Sequence, residues 1–234
     1  MERVKKALES SIGLKAIMAL TGIALLGFVV VHMLGNLQIF AGQDAINTYA
    51  HKLKSLGPLL WVARLGLLGI FVVHIGAAMK LTKGNEDARK TRYAYEAKNG
   101  PHAVQASWAS RYMLVTGGVV AAFVVFHLVH FTVPSPLNEE ALKVTDHAGH
   151  HDVFSMVVTA FKNPLFVAFY VVANLVLGVH LAHGVSSVFQ TLGLRHERYD
   201  LLIKMAGPGL ATLIAIGNIG IPLYIFFFFP SLTS

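Results

Sequence analysis

Five long apolar runs constrain the fold of this chain more than any other feature. A helix needs roughly 20 mostly apolar residues to cross the hydrocarbon of a bilayer. Of the 234 residues, 55% are hydrophobic and only 13% are charged, which is typical of a membrane protein rather than a soluble domain. We therefore predict one all-α domain over residues 1–234, a bundle of five transmembrane helices in a lipid bilayer. The predicted spans are about 12–40, 58–80, 107–133, 163–190 and 205–230.

The distribution of lysine and arginine predicts the orientation of the bundle. The N-terminus through Lys15 and the 80–111 and 195–204 connections carry 14 of these 19 residues, whereas the 41–57 and 132–162 connections carry four. Cytoplasmic loops collect Lys and Arg, so we expect a cytoplasmic N-terminus and a C-terminus outside. The net charge of +7 is then mainly a cytoplasmic feature. Nucleic acid is not an expected partner, because these charges flank membrane spans and lack interleaved aromatic residues.

Two recurring phrases predict that spans one and two are repeated as spans three and four. The segment that ends at His32 reads TGIALLGFVVVH, and the one that ends at His127 reads TGGVVAAFVVFH. In the following spans, LGIFVVH ends at His74 and LGVHLAH ends at His183. Each of the first four spans therefore contributes one histidine to the repeat.

Position along the helices sorts these four histidines into two pairs. His32 and His127 lie about 25 Å along outward-running spans, at 1.5 Å per residue, which is near the outer side. His74 and His183 lie towards the ends of inward-running spans, near the inner side. Ionisable side chains in lipid are usually functional, and helical bundles hold cofactors between facing helices. We therefore predict two bis-histidine haem sites, an outer one at His32 and His127 and an inner one at His74 and His183.

The absence of cysteine limits how such haems could be held. Without cysteine the chain forms no thioether link to haem and binds no iron–sulfur cluster of its own. His130 and His180 are rival ligands, since each lies three residues from a predicted ligand and shares its helix face. The repeat favours His127 and His183, and His130 and His180 would then contact a propionate, a quinone or a backbone carbonyl.

Three of the cations in or beside the spans are candidate contacts of a cofactor. Arg64 lies well inside span two, where a buried guanidinium needs an anion; a propionate of the outer haem is one interpretation and snorkelling to the interface is the other. Lys15 and Arg111 lie at the inner ends of spans one and three. They could contact inner-haem propionates, although anchoring at lipid headgroups is favoured. None of the 12 Asp and Glu residues lies in the core of a span, which argues against a pump or a proton-coupled transporter.

Polar residues outside the spans have alternative interpretations. A cluster in the 132–162 connection is either a divalent-metal site or, as we favour, a flexible polar loop; it comprises His147, His150, His151 and Asp152. A second group frames either a quinone pocket or an interfacial belt; it comprises Asn47, His51 and Trp61. Span five has no histidine but contains Pro208 and Pro222, and we predict a kinked packing helix outside the repeat.

Over essentially its whole length, the chain resembles the five-helix, two-haem cytochrome b subunit of succinate dehydrogenase and quinol:fumarate reductase. The resemblance rests on the histidine in each of the first four spans and on three motifs. These are Met18-Ala19-Leu20-Thr21-Gly22, His32-x-x-Gly35-Asn36-Leu37, and His183-Gly184 followed by Ser187 and Phe189-Gln190-Thr191-Leu192-Gly193.

The resemblance implies a function in electron transfer. It implies haem b ligation by His32, His74, His127 and His183, a bound quinone that is often menaquinone, and a bacterial inner-membrane location. Flavoprotein and iron–sulfur partner subunits would dock on the cytoplasmic face, and the complex could form a homo-oligomer. The chain would perform no chemistry on succinate or fumarate, and would pass electrons between the iron–sulfur subunit and the quinone pool.

Two features leave alternatives within this interpretation. Some family members carry a carboxylate two residues before the fourth haem histidine, where this chain has Leu181; this mildly favours succinate oxidation over fumarate reduction. The alternative function is the cytochrome b subunit of another quinone-linked complex, of the hydrogenase or formate dehydrogenase type. A third class, a transporter that uses histidines for metal passage, would bind no haem.

Overall fold

The computed structural model describes residues 2–87, 111–194 and 197–229, and in these ranges the chain is helical, without a β-strand. Short 3-10 turns cover Leu37–Ala41 and Glu197–Tyr199. The helices are α1 (Glu2–Leu8), α2 (Ser11–Asn36), α3 (Gln43–Ser55), α4 (Pro58–Asp87), α5 (Met113–Phe131), α6 (Glu139–Lys143), α7 (Val153–Ala160), α8 (Pro164–Thr191) and α9 (Asp200–Phe228).

The five predicted spans correspond to five helices that are long and apolar enough to cross a membrane, namely α2, α4, α5, α8 and α9. This confirms the prediction of a multi-pass membrane protein. Helices α4 and α9 extend past the predicted limits, to Asp87 and back to Asp200, because a helix continues beyond the apolar stretch that defines its membrane part. The start of predicted span three, at 107–110, and most of the basic 80–111 connection lie outside the described residues. The orientation of the termini stays a prediction.

Local sequence signals set several of the helix boundaries. Ser10 precedes α2 and its hydroxyl accepts a hydrogen bond from the Gly13 amide at 3.1 Å. Asn163 caps α8 in the same way, and Pro164 occupies the first turn, where a missing amide proton costs nothing. Gly57 has a φ of 53° in the tight connection between α3 and α4, a left-handed conformation that favours glycine.

A small folded unit, which we call the cap, covers one end of the bundle. It consists of residues 37–57 and 134–161, with α3 packed against α7. Ile39, Ile46 and Phe154 lie in its apolar core, which continues into the bundle through Tyr170 and Ile225. The end of the bundle under this unit is called the cap end below.

Buried polar groups fasten α3 to α7. The Asp152 carboxylate is 3% exposed and accepts hydrogen bonds from Gln43 Nε2 at 2.8 Å, from Asn47 Nδ2 at 3.0 Å and from the amide and hydroxyl of Ser155. Asn47 is 2% exposed, and its Oδ1 accepts from the Phe154 amide at 3.0 Å. Asp152 and Asn47 therefore hold the cap together.

The histidines of the 132–162 connection lie around this polar core. His150 stacks on His51 with ring centroids 3.7 Å apart, and His151 pairs with Thr145 in an isolated β-bridge. His147 Nε2 lies 3.6 Å from the exposed carboxylate of Asp44. Across the described ranges, no three His, Cys, Asp or Glu side chains converge on a metal-sized site. This connection is folded as part of the cap, rather than forming an irregular loop.

We expect the Asp152→Asn substitution to destabilise the protein at neutral pH and to have less effect in acid. Burial alone would raise the pKa of Asp152, but the hydrogen bonds that it accepts outweigh burial and lower its pKa below the ordinary value of 3.8. Its contribution to stability is therefore present above about pH 4 and lost as the pH falls through the folded-state pKa. The expected cost at pH 7 is about 1–3 kcal/mol, because the new amide would face two donors.

Thermal unfolding in detergent between pH 3 and pH 7 tests this. The exposed Asp44→Asn variant is the matched control and should follow the wild-type profile. A constant difference between Asp152→Asn and wild type across the whole range would contradict the account.

Helix α9 closes one side of the bundle by packing along α8 and touching α2. Pro208 and Pro222 lie inside it, as the sequence indicated. At Gly207 the backbones of α8 and α9 approach so closely that a Cβ would collide with the Ala182 carbonyl and the Ser186 hydroxyl. A glycine is required at this crossing because no side chain would fit.

We expect the Lys162→Met substitution to weaken the attachment of α9 to the connection between α7 and α8. The Lys162 ammonium donates hydrogen bonds to the carbonyls of Ile225, at 3.0 Å, and of Phe229. The last carbonyls of a helix have no partner within the helix and carry its partial negative charge. Loss of this cation should cost about 1–3 kcal/mol, measured as a lower thermal midpoint in detergent. Lys143→Met, which removes an exposed lysine paired with exposed glutamates, should change little; equal losses in both variants would contradict the account.

Candidate cofactor site

A large, mainly apolar cavity lies within the bundle, between α2, α4, α5 and α8. Its volume is about 2640 Å³, whereas a pocket for one drug-sized ligand is about 300–1,000 Å³. Helix α4 lies along α2 but makes little contact with α5, and Ala77 is its only buried residue. The cavity could hold more than one large apolar ligand. Its lining includes the four predicted ligands and one rival, namely His32, His74, His127, His183 and His180.

At the cap end, the structure brings His32 and His127 together across the cavity. Their ring centroids are 5.6 Å apart and the rings are perpendicular. His32 also stacks on Phe28 of its own helix, at 5.3 Å. These are the two histidines that their positions along the helices predicted to lie at the same depth.

The His32 and His127 pair forms one level of the cavity, at the cap end. A second level, further from the cap, contains Thr21 and His74. Thr21 Oγ1 lies 2.9 Å from His74 Nδ1 and also donates its proton to the Ile17 carbonyl at 2.7 Å. Because that proton is already used, the hydroxyl accepts a hydrogen bond from Nδ1–H of the imidazole. His74 is therefore held in the tautomer whose Nε2 carries a free lone pair, which is the form that binds a metal.

The same arrangement recurs on the other side, but with His180. Thr116 Oγ1 lies 3.1 Å from His180 Nδ1 and donates to the Met113 carbonyl, also at 3.1 Å. His180 therefore has the same tautomer as His74, with Nε2 free. His74 is also one of the ionisable groups close enough to His180 to act on it electrostatically.

The glycine that follows each threonine makes room for the histidine ring. A Cβ added to Gly22 would lie 3.5 Å from His74 Cε1, and one added to Gly117 would lie 3.3 Å from His180 Cε1. Each Thr-Gly pair therefore forms a binding position for one histidine ring, which we call a ring seat. Thr21 and Gly22 form the ring seat of His74, and Thr116 and Gly117 form that of His180. The threonines lie 11 residues before His32 and His127, so the two histidine levels are about 16 Å apart along the helices.

His183 occupies a different environment from the one that the repeat predicted. Its Nε2 lies 3.1 Å from the Ser187 hydroxyl, one turn further along α8. The structural counterpart of His74 is His180, three residues earlier. His180 and His183 are three positions apart and share a helix face, so a repeat in spacing does not separate them. The role of His183 as a haem ligand stays a prediction.

A buried tyrosine connects His127 to His130. The Tyr170 hydroxyl lies 3.2 Å from His127 Nδ1 and 3.0 Å from His130 Nδ1. His130 is 2% exposed, and the rings of Phe131 and Phe166 pack on it at 4.2 and 4.4 Å. Tyr170 belongs to none of the sequence motifs described above. Its only signal is a polar ring within an apolar span, ten residues before His180.

The predicted cations lie at different heights along the cavity. Arg64 lines it near the cap end, with its guanidinium carbon 5.1 Å from the centre of the Trp61 ring. Burial and then the positive charge of Arg64 lower the pKa of Lys54, so these two cations lie close together. Lys15 lines the cavity towards the opposite end, whereas Arg111 lies just before α5.

The histidines of the cavity fit a haem better than a bare metal ion. A haem iron needs only two protein ligands, because the porphyrin supplies the others, and the rings of His32 and His127 lie 5.6 Å apart across the cavity. In comparisons with protein-family models, with curated proteins and with solved structures, the chain matches none of them.

Proposed function

We propose that this chain is the membrane-anchor cytochrome b subunit of a succinate:quinone oxidoreductase and binds two b haems and a quinone. The observation that carries the haem assignment is the repeated ring seat. Twice, a threonine hydroxyl whose own proton is used accepts from a histidine Nδ1 and leaves Nε2 free. Both Nε2 atoms belong to residues that line one large apolar cavity.

Four histidines would hold the two haems. His32 and His127 form the pair at the cap end, and His74 and His180 form the second pair. The orientation of the His180 ring favours it over His183, whose Nε2 is engaged by Ser187. When bound, the haems would supply two one-electron carriers.

The surrounding residues tune this site through hydrogen bonds and burial. Thr21 and Thr116 fix the tautomer and the ring orientation of their histidines, and by accepting from Nδ1–H they make Nε2 a stronger donor to a metal. The apolar lining excludes water, which affects the reduction potential of any bound centre. Arg64 and Lys15 line the cavity towards its two ends, where each could neutralise a propionate.

The succinate-linked part of the proposal is supported by the sequence resemblance. The motifs around Thr21, His32 and His183 point to the anchor subunit of succinate dehydrogenase and fumarate reductase. In that assignment the protein lies in a bacterial inner membrane, binds flavoprotein and iron–sulfur subunits at its cytoplasmic face, and exchanges electrons with a quinone pool that includes menaquinone.

Purification of the tagged chain from native membranes in mild detergent tests the complex. We expect flavin, non-haem iron and two b haems to co-purify, with succinate-dependent reduction of a soluble quinone analogue. Recovery of a nickel- or molybdenum-containing subunit in place of the flavoprotein would contradict the succinate assignment and support another quinone-linked complex.

A further inference from the structure

The hydroxyl of Tyr170 lies between His127 and His130, which are alternative candidates for the ligand of the cap-end haem. It is 3.2 Å from His127 Nδ1 and 3.0 Å from His130 Nδ1. Tyr170 itself is 5% exposed, and the ring of Phe123 packs against it at 5.2 Å. The three polar groups therefore form a hydrogen-bonded chain inside the protein.

Because a phenol has a single proton, the hydrogen bonds of this group must run in one direction. A tyrosine hydroxyl has one proton, so it can donate to only one of the two Nδ1 atoms while it accepts from the Nδ1–H of the other. The two imidazoles then have opposite tautomers. One has a free lone pair on Nε2, and the other carries its proton there. Only the first can bind a metal through Nε2.

The surroundings of the two histidines differ, and only one of them faces the cavity. His127 lines the cavity, and its ring centroid lies 5.6 Å from that of His32. His130 is 2% exposed and is surrounded by the rings of Phe126, Phe131 and Phe166. With His127 as the haem ligand through Nε2, its Nδ1–H donates to Tyr170, and Tyr170 donates to His130.

We propose that Tyr170 is a positioning residue that holds His127 in the tautomer able to bind the cap-end haem, holds His130 in the opposite tautomer, and lowers the reduction potential of that haem. This inference rests on the proposed function. An acceptor on Nδ1–H makes the imidazole more basic, and a more basic axial ligand favours ferric over ferrous iron. His130 strengthens the effect, because accepting the phenol proton makes the Tyr170 oxygen a better acceptor.

The test is a redox titration of the haems in the purified complex, followed by optical and electron paramagnetic resonance spectra. Tyr170→Phe should raise the midpoint potential of one haem and leave the other unchanged. Tyr224→Phe is the matched control, since Tyr224 lies in α9 against Phe40 and does not line the cavity. It should change neither potential.

A second variant separates the hydrogen-bond chain from simple packing. His130→Leu keeps the tyrosine hydroxyl but removes the group that accepts its proton, so it should raise the same potential by a smaller amount. The double variant should behave like Tyr170→Phe alone, because both substitutions interrupt one chain. If Tyr170→Phe loses the cap-end haem outright, the shift in His130→Leu becomes the deciding measurement.

The outcomes distinguish this inference from the proposed function. Two haems with unshifted potentials in both Tyr170→Phe and His130→Leu would overturn the role of Tyr170 and leave the haem assignment intact. Strictly additive shifts would also overturn it. A wild-type complex without haem would overturn the proposed function itself.

Discussion

Replacing His180 with alanine is expected to remove one of the two haems, whereas replacing His183 with alanine should leave both. His180 Nδ1 is held by Thr116, which leaves its Nε2 free for iron. His183 Nε2 is engaged by Ser187 instead. Haem content per chain, measured as the pyridine haemochrome of the purified complex, should fall from two to one in His180→Ala only.

His74→Ala provides the positive control for this prediction. It should remove the same haem as His180→Ala, with identical changes in the reduced-minus-oxidised spectrum, because we assign both residues to one iron. The opposite result, in which His183→Ala loses that haem and His180→Ala retains it, would restore the ligand set that the sequence repeat favoured. It would also mean that the ring seat at Thr116 holds a neighbouring histidine rather than a ligand.

Replacing the glycine of one ring seat with valine should lower the haem content as much as replacing the ligand histidine with alanine. A Cβ at Gly22 would lie 3.5 Å from His74 Cε1, so a single methyl group just fits, and the branches of a valine would need the space of the ring. We therefore expect Gly22→Val to displace His74 and to lose the same haem as His74→Ala. The measurement is again haem content per chain, together with the spectrum of the haem that remains.

Gly27→Val is the matched control on the same helix. Nothing lies within 4 Å of a Cβ at Gly27, and this residue does not line the cavity. Both variants replace glycine with valine in α2, so their change in intrinsic helix propensity is the same. Retention of two haems in Gly22→Val, or equal haem loss in both variants, would argue against the ring seat.

Much of the membrane architecture follows directly from the sequence. Apolar runs of sufficient length predicted the five spans, because length and composition alone decide whether a helix can cross a bilayer. Depth along the helices also predicted that His32 and His127 lie at one level, and the structure places their rings next to each other. This inference needed only the rise per residue and the alternating direction of the spans.

The sequence was less informative about which of two nearby histidines faces a given neighbour. His180 and His183 share a helix face, so a repeat in spacing cannot separate them. The answer depends on Thr116, which lies 64 residues away and approaches His180 only after the helices pack. Tyr170 was missed for the same reason, since its contacts with His127 and His130 are formed between α5 and α8.

The structural role of Asp152 in the cap was not predicted from the sequence, for a different reason. Asp152 was grouped with nearby histidines as part of a metal site or a flexible loop, because these residues are polar and close in sequence. In the structure it begins α7 and binds Asn47, a residue 105 positions earlier. Aspartate is a preferred N-cap residue directly before a helix, and this signal could have indicated a structural role.

The most direct test of the central claim is a dithionite-reduced minus oxidised spectrum of the complex, purified with its native partners, combined with haem and protein quantification. The account predicts a low-spin bis-histidine b-type spectrum and two haems per chain. A single haem per chain would contradict the two-level arrangement of the cavity. The absence of any Soret band would contradict the assignment of this chain as a cytochrome.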